Sequence, residues 1–181
     1  MHVLVRKTLD TYIREKRIIT LSEFPPEATE YMSLKDAVFV TLYLEWKVIA
    51  SSGRIACKKE NSVYECIDNS LLCLSDSRFS SEIQDVSKLA EIRIRTDRFR
   101  PENRRVLRDI SELDTSREWL ILLSQNLGVL AIILPHMVNV DASADQYFAL
   151  ACKKADIDPS QLTSADYVLY GLTTTSESDF G

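Results

Sequence analysis

The chain has 181 residues, enough for one domain, or two small lobes sharing a core, that buries roughly 70% of its unfolded surface. Apolar residues make up 45% and charged residues 27%, with 4 Gly and 5 Pro, which excludes a disordered, collagen-like or low-complexity chain. Against 27 Asp and Glu stand 22 Lys and Arg, a net charge of -5 that does not favour nucleic acid as a partner.

The first segment breaks its apolar positions with Arg6, Lys7, Asp10 and Arg14, so it lacks the greasy run of a signal peptide. The longest apolar tract, Val129 to Leu134, is far short of the roughly 20 residues a bilayer requires. A cytoplasmic protein with no membrane contact is expected. Val5, Leu9, Tyr12 and Ile13 recur with helical spacing and predict a helix over about His2 to Lys16. Residues 22 to 36, with Pro25-Pro26, read as a surface excursion. Ala37 to Ala50 is rich in β-branched and aromatic residues, and Ser51-Ser52-Gly53 follows as a turn before Arg54 to Lys59, which predicts a long hairpin. Asn61 or Ser62 caps a second helix whose buried stripe is Val63, Ile67, Leu71 and Leu74.

Residues 90 to 96 alternate, so Ile92 and Ile94 point to a core while Arg93 and Arg95 point away. Two apolar runs, 117 to 124 and 128 to 134, flank Gln125-Asn126-Leu127 as a second hairpin. Ser143 and Gln146 have capping-box spacing ahead of an amphipathic helix carrying Tyr147, Phe148, Ala151, Cys152 and Ala155. Asp166 to Leu172 is a closing strand, and the polar tail beyond it is expected to be mobile. Hairpins interrupted by a few helices argue for an α+β fold, a two-layer sandwich of mainly antiparallel sheet and helices.

The residues for chemistry are few. Only His2 and His136 are present, which excludes a three-histidine metal site and an HExxH helix. The cysteines, 57, 66, 73 and 152, match neither paired CxxC zinc ligation nor a secreted disulfide framework. The glycines are isolated, so no phosphate-cradling loop occurs and no metal or cofactor is expected. Cys57 follows the expected turn beside Lys58 and Lys59, cations that favour a thiolate; packing is its bland alternative. Between Arg93 and Arg108 lie 7 arginines against Asp97 and Glu102. They read either as a surface for oxyanions or an acidic partner, or as a solvated edge strand and loop protected from aggregation.

AVFVTL at 37 to 42, DSRF at 76 to 79, KLAEIRIRT at 88 to 96, LGVLAIILPHMV at 127 to 138 and FALACKKADIDPSQL at 148 to 162 occur in an order that resembles the AMMECR domain family. The resemblance covers essentially the whole chain. It implies one α+β domain over residues 1 to 175, built of two closely packed lobes, with a polar tail at 176 to 181. It also implies a family without an established biochemical activity, whose prokaryotic members are associated by gene neighbourhood with a Memo-type protein and a radical S-adenosylmethionine enzyme. The family's suspected site is an LRGCIG strand. Counting back from DSRF without gaps places Val48 to Gly53 on it; aligning the hairpin turn at Gly53 places Ala56-Cys57 on its Gly-Cys instead. The second register is preferred here, because a turn-forming SSG inside a strand would break the ladder. Either register loses the arginine, and the first loses the cysteine as well.

Two functions follow. One is a non-catalytic binding or adaptor domain for a protein or anionic partner, using Asp76, Arg78, His136, Arg93 and Arg95. The other is an enzyme or accessory factor of a macromolecule-modification system with Cys57 as nucleophile, assisted by Lys58, Arg78 or His136. Convergence of Cys57, Arg78 and His136 on one cleft would favour the second.

Overall fold

A computed structural model describes residues 1–82, 86–135 and 142–180, which divide into two units: Met1–Arg100 with Thr175–Gly181, and Pro101–Thr174.

Unit 1 begins with α1 (His2–Glu15), which buries Leu4, Val5, Thr8 and Leu9 and stops where Lys16 turns left-handed. Tyr12, expected on the buried stripe, is exposed. The proline segment coils into 3-10 turns at Leu21–Glu23 and Pro26–Ser33. β1 (Ala37–Leu44) and β2 (Lys47–Gly53) form an antiparallel hairpin. Next come α2 (Ser62–Cys73), capped by the Asn61 side chain on the Val63 and Tyr64 N–H groups, and α3 (Ser77–Glu82). β3 (Arg93–Phe99) pairs with β1, and β8 (Thr175–Ser178) pairs with β3, giving the order β2-β1-β3-β8. The helices cover one face of this sheet, because Val38, Val40, Leu42, Ile92 and Ile94 share a core with Leu4, Val5, Val63 and Cys66.

Unit 2 holds β4 (Arg104–Leu107), β5 (Trp119–Ser124), β6 (Val129–Ile133), α4 (Ala144–Lys154) and β7 (Val168–Leu172). Its strands are antiparallel in the order β4-β7-β5-β6. Leu107, Leu169, Leu120, Leu122, Ala131 and Ile133 form its core with Tyr147, Ala151 and Cys152 of α4. The expected capping box of Ser143 and Gln146 starts α4. The α+β class with antiparallel sheets is therefore present in both units.

Three expectations are corrected. The first hairpin reverses at Glu45-Trp46, where φ is 49° and 65°, a two-residue turn whose twist suits the flanking strands. Ser51-Ser52-Gly53 lies inside β2, paired with Thr41, Val40 and Phe39. Cys57 consequently follows the hairpin in a loop rather than lying on a strand. An irregularity between Leu42 and Tyr43 absorbs one extra residue, so that Ile49 and Ala50 are both buried. Second, β3 lies inside its sheet, not at an edge. Third, residues 175–178 of the polar tail are ordered as β8 by pairing with β3.

Candidate functional site

Antiparallel partners point to the same side of a sheet. The registers Thr41↔Ser51, Thr41↔Arg95, Phe39↔Gly53, Phe39↔Asp97 and Asp97↔Ser176 therefore gather these residues on one face of the unit 1 sheet. It is the face opposite the helices, since the alternate residues Val38, Val40 and Leu42 belong to the helical core. Aromatic rings bound it: Phe39 stacks on Phe99 with centroids 6.2 Å apart. Gly53 lies under the Phe39 ring, so a Cβ there would stand 2.2 Å from Phe39 Cγ. A strand glycine in this place is explained by close approach of the ring.

The polar groups on this face are satisfied among themselves. Asp97 is fully buried, and its carboxylate accepts from Arg95 Nε at 3.0 Å and Arg95 Nη2 at 2.9 Å and from the Ser176 hydroxyl. The hydroxyls of Thr41 and Ser51 are 3.4 Å apart. At the sheet edge, Asp76 accepts from the Arg78 backbone N–H at 3.0 Å and from Arg78 Nη2 at 2.6 Å. The Arg78 guanidinium holds the Asp76 carboxyl below the usual carboxylate range, aided by N–H groups including that of Ser51. Asp76 is thus linked to β2 at Ser51, Arg78 is held there through Asp76, and Phe79 is buried as the anchor of the segment.

Cys57 lies in a different setting. Glu65 of α2 is fully buried, and it accepts from Arg54 Nη1 at 2.8 Å, Lys58 N–H at 2.9 Å, Lys59 N–H at 3.1 Å and Asn69 Nδ2 at 3.1 Å. This carboxylate fastens the loop after β2 onto α2. Burial opposes its charge, but those hydrogen bonds outweigh the penalty and hold its pKa below the usual range. Within the loop, the Cys57 thiol donates to the Lys59 carbonyl at 3.5 Å. Burial raises the thiol pKa, with Glu65 adding to the rise. The expected lowering by Lys58 and Lys59 is therefore reversed: the loss of water, with the Glu65 charge adding to it, dominates, and the Lys59 ammonium is paired with Asp68 at 2.8 Å. Cys66 and Cys73 are buried on α2 with their thiols pushed up to about 12, and Cys152 is buried in unit 2.

Of the sequence-derived residues, Asp76 and Arg78 meet at Ser51, while Cys57 sits with Lys59 and Glu65. His136 lies outside the described residues. Arg93 is exposed opposite Tyr43. Much of the arginine-rich segment is neutralised at home. Besides Arg95 on Asp97, Arg98 and Arg100 pair with Asp36 at 2.9 and 2.7 Å, and Arg105 pairs with Glu118 at 2.8 Å. Thr41, Ser51, Asp97 and Ser176 were missed by the sequence reading. The available signal was strand length, because a single strand from 37 to 50 exceeds the usual ten or fewer residues and needs a turn within it.

Among the described residues no group of three or more His, Cys, Asp and Glu is placed to hold a metal ion, and no helix is long and apolar enough to cross a membrane. Phe39, Thr41, Asp97 and Phe99 are buried, so the groups of this face open to hydrogen-bonded recognition are the half-buried Ser51 and Arg95 and the exposed Arg93 and Ser176.

No family model matches the chain, and no curated protein matches it in sequence. Among solved structures it is similar to an uncharacterized protein, PH0010, from Pyrococcus horikoshii, with a TM-score of 0.73 and 15% identity over 99% of this chain and 89% of that one. At that identity the likeness extends to the fold.

Proposed function

We propose that this chain is a non-catalytic binding domain of AMMECR type that works in the cytoplasm, presenting the Ser51 side of its first sheet to a protein or anionic partner. The observation that carries the reading is the course of β2. With the turn at Glu45-Trp46, the ungapped register sets Ile49 where the family strand has arginine and Ser51 where it has cysteine, while Gly53 keeps the final glycine. A hydroxyl in place of a thiol, without an imidazole beside it among the described residues, retains hydrogen bonding and gives up nucleophilic strength. The rival reading, a cysteine-dependent enzyme or accessory factor linked to a radical S-adenosylmethionine enzyme, would have to use Cys57, whose thiol pKa is raised.

The partner surface is tested at Arg93, which is exposed and has no ion-pair partner among the described residues. Arg95 is unsuitable, because its reversal would set a second carboxylate against the buried Asp97. Affinity capture from a cytoplasmic extract should recover a partner with the unaltered protein and lose it with Arg93→Glu at unchanged melting temperature. Equal recovery with both baits would remove this surface from the interface.

A further inference from the structure

Unit 2 carries a cavity of about 310 Å³ at one end of its sheet, lined by none of the residues of the face described above. That volume is in the range that takes a small organic ligand. Its apolar wall comes from Leu107 and Leu169, paired across β4 and β7, and from Phe148 and Tyr167, whose ring centroids are 5.4 Å apart at 44°. Arg108 and Ser164, both exposed, also line the cavity. Among the described residues the Arg108 guanidinium, the Ser164 hydroxyl and the Tyr167 hydroxyl have no hydrogen-bond partner, in contrast to the paired Arg95, Arg98, Arg100 and Arg105.

The charges around the cavity narrow the ligand. A free guanidinium beside an aromatic wall recognises a flat apolar body bearing an oxyanion. Asp109, next to Arg108, is held below the usual carboxylate range by the Ser111 side chain and then by the Ser111 N–H, which donates to it at 2.9 Å, so it is ionised at neutral pH. Its charge, and that of Glu112, whose carboxylate accepts from the Arg108 N–H at 3.1 Å, oppose a phosphate dianion more strongly than a monocarboxylate. Burial raises the Tyr167 phenol above its ordinary value, so the phenol remains a hydrogen-bond donor.

We propose that this cavity binds a small aromatic monocarboxylate, with the ring against Phe148 and Tyr167 and the carboxylate on Arg108. The inference uses none of the residues of the binding face in unit 1 and stands or falls separately from it. The test is titration of isotopically labelled full-length protein at pH 8 with 3-phenylpropionate, 3-phenylpropan-1-ol and phenyl phosphate, followed by amide NMR shifts. With 3-phenylpropionate taken to about 10 mM, a ligand of this size with a Kd of about 1 mM should approach saturation. The shifts should cluster at 106–110 and 164–169. The alcohol and the phosphate should bind at least about tenfold more weakly, and Arg108→Ala should weaken 3-phenylpropionate by about tenfold at unchanged melting temperature. Shifts absent from those amides would overturn the site. Equal binding of the alcohol, or by Arg108→Ala, would overturn the role of the charge, and tighter binding of phenyl phosphate would overturn the monocarboxylate.

Discussion

Replacing Gly53 by alanine tests where the first hairpin turns. The new methyl would lie 2.2 Å from Cγ of Phe39 and 2.4 and 2.5 Å from its two Cδ atoms, so the ring must move. Phe39 is only 7% exposed and stacks on Phe99, which leaves it little room. Overpacking of this kind costs ~1–3 kcal/mol, and disturbing the aromatic pair adds ~0.5–1.5 kcal/mol. Removing a glycine from a strand returns ~0.5–1 kcal/mol. The clash dominates, and the net loss is about 1–3 kcal/mol. Had Gly53 occupied an open turn with negative φ, the same substitution would stabilise by ~0.4–1 kcal/mol, so the two placements differ in sign. Urea unfolding of Gly53→Ala, Phe39→Ala and the double variant measures the effect and its coupling. The double variant should show a coupling of ~1 kcal/mol or more in the direction of relief, because the clashing ring is gone. A stabilised Gly53→Ala, or a coupling near zero, would refute the placement of Gly53 under Phe39.

The Glu65 clamp should be similarly exposed by Glu65→Gln, which offers donors to the donors of Arg54 and Asn69 and should cost ~2–4 kcal/mol in the same assay. The folded pKa of Glu65 is depressed. Its stabilisation is therefore present above the ordinary carboxylate range and is lost as pH falls through the folded value, so Glu65→Gln should flatten the acid limb of a stability–pH profile; an unchanged limb would contradict the clamp. Arg95→Ala should lower stability by ~2–4 kcal/mol by leaving the buried Asp97 without its cation, whereas Arg93→Ala should stay within ~0.5 kcal/mol. Equal effects in thermal or chemical denaturation would deny the difference between them. Asn61→Ala removes the acceptor for the Val63 and Tyr64 N–H groups and should cost ~1 kcal/mol, read from the unfolding midpoint.

Local patterns in the sequence were enough for much of the fold. The apolar spacing of Val5 and Leu9 located α1, Asn61 located the start of α2, and Ser143 with Gln146 located α4. These signals involve neighbours within one or two turns, so no distant contact was needed to read them. The hairpin turn was illegible because Glu45 and Trp46 are poor turn residues by composition, while Ser51-Ser52-Gly53 is a good one. Pairing with β1 overrides that preference, and the close approach of Phe39 gives Gly53 a role in the strand that has no local signature. The same limit applies to β8, which follows from pairing across some 80 residues, as at Asp97↔Ser176. The Asp76–Arg78 pair was legible, but its tie to Ser51 was not, since the latter depends on the register of β2. The arginine-rich segment misled for a related reason. Counting charges does not reveal that Asp36, Asp97 and Glu118 come from elsewhere to neutralise them or sit two residues away on the same face.

The distinction between a binding domain and a thiol enzyme rests on Cys57, and its alkylation rate measures that distinction most directly. Iodoacetamide labelling of the folded protein, resolved by peptide mass spectrometry across a pH series, should give Cys57 an apparent pKa above the ~8.5 of a free thiol, in keeping with its raised value beside Glu65. A midpoint clearly below ~7.5, with fast labelling at neutral pH, would mark an activated thiolate and contradict the non-catalytic account.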